Sequence, residues 1–248
     1  MEPSFYKLKR RSGLSNHEYE FLKGLEKAAE NLIRQKSLAK GWNYIQQAIA
    51  LRKTLFGEGS QKVISYVTRS ANLMISSSYS LIEETNPKQL IPILKEVSLL
   101  TDTYCLIPQK LDIFNTLSIT YRNRGKLKIS HSYAEKALKI IDNHPDEDLN
   151  KAQVYLNLCT IMSHLQKHKQ ASQYCKVAIQ CIQEELVSLK LSNSTKKYNQ
   201  KVTVLSIAYH NAGVEEEQLG HYSQAIEWFK KSVKLLEEHN LKQQLLNE

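Results

Sequence analysis

Apolar residues return every three or four positions along most of the chain, the period of a helix with one buried face. The clearest stretch is 209–236, YHNAGVEEEQLGHYSQAIEWFKKSVKLL, where Tyr222, Ala225, Ile226, Phe229, Val233 and Leu236 form one stripe. Gly220 and His221 interrupt the pattern, which predicts two antiparallel helices joined by a tight turn. The small residues Gly213 and Ala225 would let the two helix axes approach closely.

The same alternation of stripe and break divides the remaining sequence into four more helix pairs. The first covers about 16–55, with Asn16 as N-cap, and presents Leu25, Ala29, Leu32, Gly41, Ile45, Ala48 and Leu51. The second, 60–103, carries Val63, Val67, Ala71 and Met74, then Leu90, Leu94 and Val97. Thr85, Asn86 and Pro87 mark its turn, and Pro92 is placed in the first turn of a helix beginning at Leu90. The third, 110–142, shows Phe114, Leu117, Tyr121, Gly125, Ala134 and Ala137, with Pro145 closing it. The fourth, 150–190, places Tyr155, Leu158, Met162, Ala171, Cys175 and Ala178 around a turn at Gln166-Lys167-His168. The stretch described first lies in the fifth, 199–239. Residues 1–15 read as a flexible basic tail, 16–240 as one helical domain, and 241–248 as a C-terminal cap or tail through Leu241, Leu245 and Leu246.

Tyr209, Gly213, Leu219-Gly220, Tyr222, Ala225 and Phe229 resemble the signature of the tetratricopeptide repeat (TPR), W-x₂-L-G-x₂-Y followed by A-x₃-F. Glu216 stands where the family has Tyr, and the closing proline is missing from this copy. Ala48, Val97, Ala137, Ala178 and Ser232 are spaced by 49, 40, 41 and 54 residues, beyond the roughly 34 of a standard repeat. Together with the run 50–58, ALRKTLFGE, that spacing resembles the longer-period kinesin-light-chain-like subclass. The resemblance implies an all-α fold, an α-solenoid of about five stacked helix–turn–helix hairpins. It further implies a concave groove lined by the first helix of each hairpin. The positions that carry over are Asn72, Ile75 and Tyr79; Asn115, Ile119 and Arg122; Gln153, Leu156, Asn157 and Thr160; and His210, Asn211 and Val214. Asn157 and Asn211 fall at equivalent places, and an amide can donate to and accept from a peptide backbone at once. The chaperone-binding subclass needs a Lys where Glu26, Ile75, Asn115, Leu156 and His210 stand, so that subclass is excluded.

Composition narrows the picture further. A hydrophobic share of 42% supports a sizeable core, while 8 Gly and 5 Pro leave few tight turns, favouring helices over a sheet. With 34 basic against 25 acidic residues the net charge is +9, which favours acidic partners. The basic residues are scattered except for the cluster at 7–11. Cys105, Cys159, Cys175 and Cys181 occupy helical apolar positions without framework spacing and are read as reduced, buried thiols. No apolar run approaches the length of a membrane span, and the reading is a cytoplasmic chain, with a cytoskeletal or ciliary association as a further option.

No phosphate-binding glycine loop, zinc-protease pair, nucleophile elbow or CxxC pair is present, so no enzyme activity, cofactor or metal is expected. His164 and His168 read as exposed turn residues, and Glu215-Glu216-Glu217 as a solvated helix surface. The expected function is a non-enzymatic scaffold or adaptor gripping a partner peptide or helix. The alternative is a structural component of a cytoskeletal assembly, its basic surface against acidic filament tails. RNA binding ranks third, since it needs stacking aromatics beside a basic stripe and the tyrosines fall at packing positions.

Overall fold

The computed structural model describes residues 15–82, 87–191 and 194–247, all of it helix and short connection. In order these are α1 (Asn16–Arg34), α2 (Leu38–Phe56), α3 (Gln61–Ile82), α4 (Pro87–Thr103), α5 (Ile107–Asn123), α6 (Leu127–Asn143), α7 (Lys151–His164), α8 (His168–Leu191), α9 (Thr195–Gln218) and α10 (Tyr222–Asn247). The fold class is all-α, helix following helix as the periodicity predicts, in the helical-repeat solenoid that the resemblance implies. The chain divides into two compact units, Met1–Thr120 and Tyr121–Glu248.

One backbone device ends the first helix of four hairpins. Lys36, Gly125, Gln166 and Gly220 all adopt left-handed φ values, 62°, 70°, 59° and 77°. The next residue then returns a hydrogen bond to the carbonyl five positions back. These bonds are Ser37 to Leu32 (2.8 Å), Lys126 to Tyr121 (3.0 Å), Lys167 to Met162 (2.9 Å) and His221 to Glu216 (2.9 Å). This is the Schellman closure, which satisfies carbonyls left free at a helix end and reverses the chain within three residues. The fourth hairpin therefore turns at Leu165–Lys167, and His168 opens α8. Cys105 uses the same geometry between α4 and α5, with φ 53° and Leu106 bonded to Thr101 at 2.9 Å.

In the first unit, the cap of α1 lies one residue earlier than expected. Ser15 is the N-cap: its Oγ accepts from the Glu18 amide, and its own amide donates to the Glu18 carboxylate, a reciprocal capping box. The expected stripes are buried, among them Leu25, Ala29, Ile45, Ala48, Val63, Val67, Ala71, Met74, Leu94 and Val97. Gly41 lies against α1, and a Cβ there would sit 2.5 Å from Ile33 Cγ1. α4 departs from expectation. It begins at Pro87, so that proline opens the helix and Pro92 lies in its interior. Thr85 and Asn86 lie outside the described residues.

The second unit holds α6 to α10 and the end of α5. α7 packs on α8, α8 on α9 and α9 on α10, each helix covering the previous one. Cys175 donates to the Ala208 carbonyl at 3.1 Å across α8 and α9, and Ser232 to the Ser206 carbonyl at 2.8 Å across α9 and α10. The close approach expected at Gly213 is present: a Cβ would meet the Phe229 ring at 2.5 Å. α10 continues as one helix through 247, and its stripe at Tyr222, Ile226, Val233 and Leu236 is exposed. Residues 1–14, and the side chains of Leu241, Leu245 and Leu246, lie outside the described residues, and with them the tail and the capping contact.

Two substitutions probe these turns and contacts. Gly213→Val forces the Phe229 ring off its seat and should lower unfolding free energy by about 2 kcal/mol in urea titrations. Gln166→Gly relieves a left-handed side-chain clash and should raise it by about 0.5–1 kcal/mol.

Candidate functional site

The positions carried over from the repeat signature are placed differently in depth. In the first unit Asn72 is exposed on α3, its Oδ1 accepting from Gln109 Nε2 at 3.2 Å. Tyr79, two turns further along the helix, keeps 38% of its surface exposed. Burial of the phenol raises its pKa, against hydrogen bonds with Thr116 and Asn115 that lower it. Asn115 is 1% exposed and Ile75 is buried, so both serve the interior.

In the second unit the face is built from α7 and α9 with the end of α5. Arg122 Nη1 donates to Asn157 Oδ1 at 2.7 Å, which joins two of the expected residues directly. Asn157 is only 2% exposed, and Leu156 is also buried. Asn211, at the equivalent place on α9, is half-buried, so the two asparagines do not form a uniform ladder. Gln153 and Val214 are half-buried, and exposed His210 lies 5.3 Å from the Phe229 ring. A cavity of about 460 Å³ opens beside Val214 and Gln218 of α9, bounded also by Leu127, Ser163, His164, Gln166 and His168.

Behind that cavity the structure corrects two expectations. Glu215 and Glu216 are buried, at 3% and 1% exposure, where the sequence reads as a solvated acidic surface. Glu216 Oε1 accepts from Ser172 Oγ and Lys176 Nζ, both at 2.7 Å, and its Oε2 pairs with His221 Nδ1 at 2.7 Å. Glu215 Oε2 pairs with His168 Nδ1 at 2.8 Å, while His168 Nε2 meets Gln166 Oε1 at 3.2 Å. His168 is thus a half-buried tie between α8 and α9, and His164 alone of the two is exposed. The repeat accounts for the difference. Tyr121, Met162 and Glu216 occupy one position in successive hairpins, the residue whose carbonyl receives the turn bond. That position is enclosed at Met162 and Glu216 and half-buried at Leu32 and Tyr121, never fully exposed. The sequence signal lies in the 41- and 54-residue offsets between these three, combined with Ser172 and Lys176 four apart on α8.

Burial would push the Glu216 carboxyl up, but Lys176, Ser172 and His221 outweigh it and hold it at about 2. The cysteines also divide. Cys159 and Cys175 are buried side by side, and the Cys175 thiol together with burial pushes the Cys159 thiol up. Cys181 is half-buried, whereas Cys105 is exposed, its left-handed turn placing it between two helices and not within one. Among the described residues no group of His, Cys, Asp and Glu could hold a metal ion, and no helix is long and apolar enough to cross a membrane.

A further cleft has no signal in the sequence. It lies in the first unit between the second helices α2 and α4, with a volume of about 760 Å³. Trp42 Nε1 and Gln46 Nε2 both donate there to Glu96 Oε2, at 2.6 and 3.1 Å.

Comparison with known proteins agrees with the geometry. The sequence model of the tetratricopeptide repeat matches residues 111–141, the third hairpin and not the fifth, where Glu216 replaces the usual Tyr. No curated protein matches the chain by sequence. Among solved structures, a glutamine-to-methionine form of the nearly identical TPR-like repeats of a candidate kinesin light chain from Podosopora anserina aligns at TM-score 0.53 and 9% identity. That alignment covers 92% of this chain and 99% of the other. PlcR of Bacillus thuringiensis, in complex with the peptide PapR7 and DNA, aligns at TM-score 0.50 and 18% identity over 96% of this chain and 78% of its own. The STAND protein PH0952 of Pyrococcus horikoshii, with a tetratricopeptide repeat sensor, aligns at 0.51 and 13% over 95% of this chain and 38% of its own. At these identities the likeness is one of fold.

The Glu216 arrangement has a pH consequence. A carboxyl held below its ordinary value of 4.5 contributes stability that is fully present above that pH and lost as pH falls toward 2. The unfolding free energy of the wild type, from urea titrations, should therefore fall by about 2–3 kcal/mol over that window. Glu216→Gln should start lower and show a flatter acid limb. One tetratricopeptide repeat is thus matched by sequence, at residues 111–141, and the chain as a whole shares the fold of solved tetratricopeptide-repeat structures.

Proposed function

We propose that the chain is a non-enzymatic scaffold that holds a segment of a partner protein against the first-helix face of its second unit. The observation that carries this reading is the cavity beside α9, where half-buried Val214 offers an apolar seat. Ser163, His164, Gln166 and Gln218 surround that seat with polar groups, and Asn211 lies three residues along the same helix. Apolar anchorage ringed by side chains that can donate and accept suits an extended peptide, which brings unpaired backbone groups of its own.

Three supports bear on it. PlcR shares the fold and carries a bound peptide. The net charge of +9 favours partners with acidic segments. The rings of the second unit are turned toward one another, Tyr155 on Tyr174 and Tyr209 on Trp228, which occupies faces that stacked bases would need. The likeness to kinesin light chain repeats is one of fold alone and carries no filament assignment.

The test is affinity capture from native lysate with the wild type and with Asn211→Ala/Val214→Asp, compared by quantitative mass spectrometry. Proteins enriched by the wild type should fall at least fivefold with the double variant, at equal helicity. An unchanged set would sink the assignment of this face.

A further inference from the structure

Arg122 is a cation whose charge goes unanswered within the described structure. It lies at the end of α5, half-buried, and its guanidinium donates to the neutral oxygen of Asn157 at 2.7 Å. Arg52 and Arg69, by contrast, meet carboxylates, those of Glu26 and Glu30. Among the described residues no carboxylate pairs with Arg122. Burial lowers its guanidinium pKa, and no ionised neighbour opposes that shift. A partly dehydrated cation without a counter-ion is costly to a fold, and a partner anion offsets that cost when it arrives.

The surroundings favour an incoming ligand over a structural role. A guanidinium presents five donors in a planar fork, and Asn157 engages one nitrogen and thereby orients the rest. Asn157 is itself 2% exposed, so the amide that orients the fork is held in place. Gln153 and Thr160, four before and three after Asn157 on α7, are half-buried neighbours on the same face.

We propose that Arg122, oriented by Asn157, is the seat for a single carboxylate side chain, Asp or Glu, of the bound partner segment. The inference rests on the reading of this face as a peptide-binding surface. One guanidinium balances one carboxylate in charge and matches its two oxygens in geometry. A phosphate, carrying nearly two charges, calls for a cluster of cations.

Fluorescence anisotropy with the full chain and a fluorescein-labelled ten-residue glutamate peptide tests the seat, with an equally long glutamine peptide as baseline. Wild type should bind the glutamate peptide at least tenfold more tightly than the glutamine one. Arg122→Gln should lose at least tenfold, and Arg122→Lys at least threefold because the fork is gone. Arg124→Gln, an exposed neighbour with the same change in net charge, should stay within twofold. Arg122→Met should lose binding yet unfold at the same temperature as wild type or higher, which a structural arginine would not allow. Equal losses at Arg122 and Arg124, or no binding by wild type, would overturn the seat. So would tighter binding of a matched peptide carrying one phosphoserine. Retained binding in Arg122→Gln with loss in Asn211→Ala/Val214→Asp removes the seat but keeps the face; the opposite pattern keeps the seat and removes the face.

Discussion

The left-handed turn that closes the first helix of a hairpin is the constraint on which the rest depends. It fixes the last carbonyl, reverses the chain in three residues, and so sets the register in which the second helix lies back on the first. Glycine supplies it at Gly125 and Gly220; Lys36 and Gln166 supply it with a side chain that raises its energy. Once the register is set, the close contacts follow from it. Gly213 faces Phe229 and Gly41 faces Ile33 because the paired helices meet at the same depth after the turn.

That constraint also decides what can be read from the sequence. The stripes of Leu25, Val67, Leu117 and Leu158 are legible because three-and-four spacing survives any substitution among apolar residues. So are the turns at Gly125, Gln166 and Gly220, since there the break in the stripe coincides with a left-handed residue. Polar residues at inward positions are not legible one at a time. Glu216 reads as surface next to Glu215 and Glu217, and only its equivalence with the buried Met162, through the shared turn bond, marks it as inward. Pro92 misleads in the opposite direction: the rule that proline opens helices is satisfied five residues earlier by Pro87. Asn157 and Asn211, alike in sequence position, differ in exposure, and Asn157 has an arginine from α5 bonded to it.

Two charged sites in the second unit illustrate opposite uses of burial. Glu216 is fully enclosed and fully answered, by a hydroxyl, an ammonium and an imidazole, and its charge becomes part of the adhesion between α8 and α9. Arg122 is less enclosed and answered only by a dipole. The first arrangement is complete within the chain. The second is not, and that asymmetry separates a packing element from a candidate recognition element within one unit.

The Glu216 cluster bears finally on how the second unit comes apart. Its partners come from the body of α8, at Ser172 and Lys176, and from the turn into α10, at His221. Peeling α10 away would leave a buried carboxylate with one oxygen stripped, and lifting α8 would strip the other. Opening either hairpin therefore exchanges part of this hydrogen-bond set for water. A stacked array in which neighbours otherwise meet through apolar surface can fray one repeat at a time from its end. Here one carboxylate ties the fourth hairpin to the fifth, through α8 on one side and the turn into α10 on the other.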